Sequence, residues 1–255
     1  ELGYDSVEVL VTHQRTTQLT HELLDAVQIY QIPISAIHAP TLFFLQHVWG
    51  TTWDQIDRSI ELAEELACPT VVAHPPFAWQ RAYGRAFVEG IAERQARTEV
   101  QIAVENMYPW RAYGREAKMY LPHWNPLPEP YEHICWDFSH AAIARADSLA
   151  AVRELGPRLR HVHLTDGNDS GKDDHLVPGE GTQRVAETLR HLAAEGLAGA
   201  VCVEVGTRGV EYAGQREEKL AASLAFAREH LAAGGTDHHD DDGVPRPTTK
   251  ETDRP

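Results

Sequence analysis

The chain has 255 residues, with 23 Lys and Arg against 38 Asp and Glu and a formal net charge of −15 with histidine neutral. This length suits one large α/β domain, and the acidic balance disfavours a general nucleic-acid binder, which needs a basic surface. Apolar runs stay far short of membrane-spanning length and no signal peptide is legible. Cys68, Cys135 and Cys202 stand singly, so the expectations are no membrane, no disulfide framework and a cytoplasmic setting.

Val7, Val9 and Val11 alternate with polar residues, predicting a strand over 5–11 with Glu8 facing away from the apolar side. A helix follows over 18–30 and a strand over 34–38. Ile56, Ile60, Leu62 and Leu66 lie at helical spacing, and Pro69 ends that helix before a strand at 70–74. A helix at 81–97 and a strand at 100–105 come next. Residues 106–132, rich in proline and aromatics, read as a lid or capping insertion. Strands at 133–137, 160–164 and 200–204 follow, with helices near 147–155, 182–195 and 215–232.

That gives seven strands separated mostly by helices. Glu1-Leu2-Gly3 reads as a helix C-terminus with its glycine cap. The expected fold is therefore an α/β (β/α)8 TIM barrel, apparently lacking its first strand in this chain, with residue 1 read as a truncation or a misassigned start. Residues 1–233 are expected to form the barrel. Over 234–255, Gly, Asp, His, Pro and Thr dominate, which predicts a disordered acidic tail. Its His238-His239 beside Asp240, Asp241 and Asp242 reads as solvated rather than as a metal trap.

Six of the strand segments end in a histidine or a carboxylate: His38, His74, Glu105, Asp137, His163 and Glu204. In a (β/α)8 barrel the C-terminal strand ends converge on one face, where the chemistry sits. Residues spread over the whole sequence would thus meet in one bowl. A carboxylate closing an apolar strand is costly unless paired or metal-bound, which favours a metal centre at Glu105, Asp137 and Glu204. Nitrogen and oxygen donors without thiolate suit a catalytic divalent ion rather than a structural zinc.

Two further clusters sharpen this reading. His140 follows Asp137 by three residues, and Asp173 and His175 form an Asp-x-His pair in the loop after His163. Each residue has a plainer alternative. His38 and His74 precede proline and could simply end their strands. His161 points the same way as His163 but deeper, which suits a core or supporting role. Asp166 reads equally as a loop cap or as a residue orienting a ligand. Aromatics crowd the same loops (Phe43, Phe44, Trp49, Phe77, Trp79, Tyr108, Trp110), either as packing under the loops or as a pocket wall. Arg-Ala-Tyr-Gly-Arg occurs at 81–85 and again at 111–115, so Arg81 and Arg111, with Trp79 and Trp110, are candidate substrate contacts. Gly179-Glu180-Gly181 is too short for a phosphate loop.

The motifs His38-Ala-Pro, His74-Pro-Pro, Val104-Glu105-Asn106, Asp137-Phe-Ser-His140, His163-Leu-Thr-Asp166, Asp173-Asp-His175 and Val203-Glu204-Val205 together resemble the xylose isomerase-like barrel superfamily. The resemblance covers about residues 1–232. In its sugar epimerase branch one divalent metal is held by two Glu, one Asp and one His, roles that fall on Glu105, Asp137, His163 and Glu204. His140 would lie near the substrate. The two glutamates would also move a proton beside a carbonyl, making Glu105, Glu204 and His140 the expected catalytic residues. An arginine common after the His strand in that branch is missing, since Asp169 and Ser170 stand in that region.

Endonuclease IV, in the same superfamily, holds three zincs with nine ligands. All nine types have counterparts here: His38, His74, Glu105, Asp137, His140, His163, Asp173, His175 and Glu204. Against the nuclease, Asn106-Met-Tyr-Pro-Trp110 replaces its small, Gly-rich stretch. The resemblance implies metal-dependent isomerisation or epimerisation of a sugar or sugar phosphate through an enediol. Its alternatives are phosphodiester hydrolysis at abasic DNA and a non-catalytic polyol-binding barrel, against which the intact acid–base glutamates argue. The implied cofactor is Mn, Zn, Co, Fe or Mg, one ion or up to three. The implied partner is a small-molecule sugar or sugar phosphate, without nucleic acid or membrane, in a monomer or a homo-oligomer.

Overall fold

Short β-branched segments flanked by prolines and capped helices set the element order in the computed structural model, which describes residues 2–45, 47–112 and 115–234. In chain order these are β1 (Val7–Leu10), α1 (Thr20–Tyr30), β2 (Ile34–His38), α2 (Thr52–Glu65), β3 (Thr70–Ala73), α3 (Arg81–Gln95) and β4 (Gln101–Glu105). A small hairpin of β5 (Trp110–Ala112) and β6 (Arg115–Ala117) interrupts the alternation. Then come β7 (His133–Asp137), α4 (Phe138–Ala144), α5 (Ser148–Leu155), β8 (Leu159–Leu164), α6 (Val185–Ala194), β9 (Ala200–Val203) and α7 (Gln215–Gly234). The seven main strands pair in parallel in the order β1-β2-β3-β4-β7-β8-β9 and curl into a nearly closed barrel, as the sequence predicts.

Local chemistry fixes the helix ends. Thr51 and Asp54 form a reciprocal capping box at the start of α2. Asp147 accepts from the Ala150 N–H to start α5. Two elements escape the sequence reading. The hairpin lies inside the 106–132 insertion, and α4 starts directly at the end of β7 with Asp137 as its N-cap.

β2, β3, β4, β7 and β8 have two buried faces of different character. The outer face carries Ile37, Val71, Ala73, Ile102, Val104, Ile134, Trp136, Val162 and Leu164, which join helix residues such as Ile56, Phe87, Ile91 and Leu189 in one apolar cluster. The inner face carries a second, small cluster of Ala36, Val72, Ala103 and Cys135. Because strand side chains alternate, the residues two positions further along the same face are His38, His74, Glu105 and Asp137. Polar residues thus sit directly above a small apolar plug.

β1 shows the cost of reading one strand alone. Glu8 does lie opposite Val7 and Val9, but its side is the barrel interior, since Glu8 pairs in register with Ala36. In a flat sheet that face would be solvent; in a barrel it is the core. Within the insertion, Phe77, Met107 and Tyr120 make a third small cluster that seats the hairpin region against the mouth. No helix among the described residues is long and apolar enough to cross a membrane. Of the segment 234–255, expected as a tail, Gly234 ends α7 and 235–255 lies outside the described residues.

Candidate metal centre

Strand ends deliver the donors and three local devices aim them. The first is Asn106, just past β4. Its side-chain amide donates to the Asp137 carbonyl at 3.0 Å and its side-chain oxygen accepts from the Asp137 N–H at 2.6 Å, tying β4 to β7. The second is the start of α4, where Asp137 Oδ1 accepts from the His140 N–H at 2.6 Å, leaving Oδ2 turned to the bowl. The third is the loop after β8, where Ser139 Oγ donates to Asp173 Oδ1 at 2.7 Å and accepts from the His175 N–H at 3.2 Å.

Glu105 is the hub. Its side chain is 1 % exposed and four imidazoles surround it. Oε2 lies 3.3 Å from His38 Nε2 and 2.8 Å from His74 Nε2, while Oε1 lies 3.2 Å from His140 Nδ1 and 3.1 Å from His163 Nδ1. His163 Nδ1 in turn faces Glu204 Oε2 at 2.9 Å and Asp137 Oδ2 at 3.8 Å. Asp173 Oδ2 stands 3.2 Å from both His140 Nε2 and His175 Nε2. The nine residues singled out from the sequence therefore fall into three groups of close donors: His38, His74 and Glu105; Glu105, Asp137, His163 and Glu204; and His140, Asp173 and His175. Glu105 belongs to two of them.

The donors fit divalent ions on two observations. First, Glu105 Oε2 and Asp137 Oδ2 are buried without a hydrogen-bond partner among the described residues, although imidazoles stand near. Such orphans are expensive unless a ligand satisfies them. Second, three rings are anchored by main-chain carbonyls, and in His38 and His175 the anchored nitrogen is the one opposite the carboxylate partner. Nδ1 of His38, His140 and His175 lies 3.0, 2.9 and 2.8 Å from the carbonyls of Ala39, Asn106 and Glu204. A carbonyl only accepts, so the proton sits on Nδ1 and the Nε2 lone pair is aimed at Glu105 or Asp173. This is how metal-ligating histidines are usually oriented. His175 takes φ +45° to reach its anchor, a left-handed backbone that favours glycine.

Without an ion the site stores protons on its imidazoles. Burial disfavours the charged ring, yet Asp137 and Asp173 push His140 well above the usual histidine range. Burial also opposes charge on His163, but Cys135, Glu204, Glu105 and Glu8 together raise it well above that range. His175, against burial, is raised to about 10 by Asp173 first. The Glu105 carboxyl, which burial alone would raise, is held well below its usual value by His163, His74 and His140. Asp137 goes the other way, pushed to about 6 by burial with help from Glu204 and Glu105.

The aromatic candidates divide. Tyr108 lies beside His140 with ring centroids 5.1 Å apart, so it lines the bowl. Phe77 is buried and carries Trp79 stacked on it at 4.6 Å, with Phe43 edge-on to both. Phe43, Phe44, Trp79 and Trp110 are exposed. Arg111 donates to the Ile143 carbonyl and pairs with Glu116 across the hairpin. Arg81 is the exposed first residue of α3. Sequence reasoning gave Glu8 little weight, yet it stands 2.6 Å from His161 and 3.3 Å from His163 beneath the donors.

The barrel, its donors at the C-terminal strand ends and their order along the chain agree with one family description, the xylose isomerase-like TIM barrel, which matches residues 1–230. The chain belongs to this family. Among members, an uncharacterized protein of Mycobacterium tuberculosis is 40% identical over 250 residues, covering 90% of this chain and 89% of that protein. A fructoselysine 3-epimerase of Shigella flexneri is 25% identical over 251 residues, covering 88% of this chain and 90% of the relative. The solved structure of an AP endonuclease, family 2, from Brucella melitensis superposes with a TM-score of 0.61 at 17% identity, over 82% of this chain and 84% of that one. That likeness carries the fold alone.

Proposed function

We propose that the chain catalyses divalent-metal-dependent isomerisation or epimerisation of a sugar or sugar phosphate. The observation that carries this reading is the four-donor group Glu105, Asp137, His163 and Glu204, in which three members are buried and Glu204 alone opens to the bowl, with 45% of its side chain exposed. A divalent ion held there would supply Lewis-acid polarisation of adjacent carbonyl and hydroxyl oxygens.

The chain's own residues divide the remaining work. Glu204 is kept ionised by His163, whose charge and hydrogen bond outweigh burial. It faces the space where substrate enters and can take a proton from a carbon beside a carbonyl. Glu105, walled in by four imidazoles, serves as a ligand rather than as a base. His140 holds its proton between Asp137 and Asp173 and can return one to a substrate oxygen or carbon. Tyr108, on the rim beside it, helps exclude water. The fructoselysine 3-epimerase relative supports this chemistry, since its name describes a change at a sugar carbon. The exposed Trp79 and Trp110 offer faces for the sugar, and Arg81 a charge for a phosphate.

One observation favours a second reading. The three donor groups, two of which share Glu105, would suit up to three ions and hence metal-assisted hydrolysis of a phosphodiester. The two readings part in deuterated water. The metal-loaded protein should place deuterium on the carbon next to the carbonyl of a ketose or its phosphate, and Glu204→Gln should cut turnover by about 10²–10⁴. Nicking of abasic DNA without exchange on a panel of sugars would reverse the ranking.

A further inference from the structure

Of the imidazoles in the donor groups, His38, His140 and His175 are each anchored at Nδ1 by a main-chain carbonyl, whereas Nδ1 of His74 is buried without a hydrogen-bond partner among the described residues. His163 is arranged differently. It turns Nδ1 toward Glu105, Asp137 and Glu204, and among the described residues no main-chain carbonyl anchors either of its nitrogens. What faces Nε2 is the carboxylate of Glu8, at 3.3 Å. Glu8 comes from β1, at the far edge of the sheet from β9, so the contact spans the barrel interior. It lies one layer below the donors, in register with Ala36, and its other oxygen is 2.6 Å from Nε2 of His161, which is completely buried.

The small plug of Ala36, Val72, Ala103 and Cys135 leaves the interior to these longer side chains. An ionised carboxylate in that place is costly unless it accepts hydrogen bonds, and the imidazoles of His161 and His163 are what faces it, with the hydrogen bond made to His163. His163 is completely buried, with its two ring nitrogens facing carboxylates from different elements.

We propose that Glu8 is the positioning residue of the four-donor group: by accepting the Nε2 proton of His163 it fixes that ring as a donor through Nδ1. It takes the part that main-chain carbonyls take for His38, His140 and His175. The inference rests on the donor set and not on which reaction the site performs. Supporting carboxylates of this kind typically change metal affinity by about 10–100-fold when removed.

The test uses the full chain, stripped with a chelator and titrated with zinc against a competing indicator. Glu8→Ala should raise the zinc Kd by about 10–100-fold, and Glu8→Gln, which keeps an acceptor oxygen, should recover most of that loss. In protein labelled with 15N at histidine, the Nε2 proton of His163, assigned by its loss in His163→Asn, should lie downfield in the wild type and move upfield in Glu8→Gln. A folded Glu8→Ala with a Kd within about threefold of the wild type overturns the proposal, as does a proton unmoved in Glu8→Gln. If Glu8→Ala does not fold, the glutamine variant decides through the same proton. A wild type that binds no zinc would overturn the metal reading instead, and the zinc-free spectrum would still test the hold of Glu8 on His163.

Discussion

The three most strongly proton-loving rings, His140, His163 and His175, all belong to donor groups, and this couples metal uptake to pH. Each ring must surrender its proton before its nitrogen can ligate. Their folded values are raised, so the imidazolium form persists above the ordinary histidine range, to about 10 for His175. The sign follows: protons compete with the ion at neutral pH, and affinity rises as pH climbs. Zinc Kd measured with a competing chelator from pH 6 to 9 should fall by about tenfold per pH unit for each proton released. Calorimetry in two buffers of different ionisation heat should count those protons. A flat profile would mean that the rings bind already neutral. At this scale much was legible, because a carboxylate or histidine closing an apolar strand has few structural excuses. Glu8 was not, because alternation tells which residues share a side but not whether the opposite side is water or barrel interior.

At the scale of elements, the loop between β8 and α6 presents Asp173 and His175, and Asp166 holds it in shape. The buried carboxylate accepts from the N–H groups of Gly167 at 2.9 Å, Gln183 at 3.2 Å and Gly179 at 3.0 Å, and a bridge to Leu176 closes the turn. The sequence left Asp166 between a loop cap and a ligand orienter; these contacts make it a cap that also places donors. They also account for Gly179-Glu180-Gly181. A Cβ on Gly181 would stand 2.3 Å from Asp166 Oδ1 and 2.5 Å from the Gly167 carbonyl, so only glycine fits. Asp166→Ala should cost about 3 kcal/mol in urea unfolding, since hydrogen bonds to a charged group are worth about 1.5–3 kcal/mol each and are not additive. Hydrogen exchange should quicken over 167–183 while β7 stays protected. Equal loosening of both would show that Asp166 supports the barrel rather than the loop. The missed α4 has a related cause. Seven residues are too few for a helical period to declare itself, and its N-cap, Asp137, also reads as a strand end.

Across the whole molecule, the barrel order was legible because each strand announces itself by an apolar run and each helix by its caps. What the sequence could not supply was distance. It named nine donors but not that Glu105 would join two groups while Asp173 joined His140 to His175. That grouping makes the number of bound ions the property of the molecule most worth measuring, and the chain itself complicates the count. Residues 235–255, which we propose as a separate acidic tail, include His238, His239 and Asp240, Asp241 and Asp242, a set able to take up zinc loosely. Their sequence neighbours include no apolar run to dock them, whereas the barrel donors are aimed by Asn106, Ser139 and three main-chain carbonyls. Tight zinc should therefore be the same in the full chain and in one ending at residue 235. Weak zinc, removed by a mild chelator, should drop in the shorter chain. The melting temperature should be nearly unchanged, because the deleted segment contains Val244 as its sole aliphatic side chain to bury. A tight ion lost with the tail, or a large fall in melting temperature, would show that the tail packs on the barrel and completes its metal site.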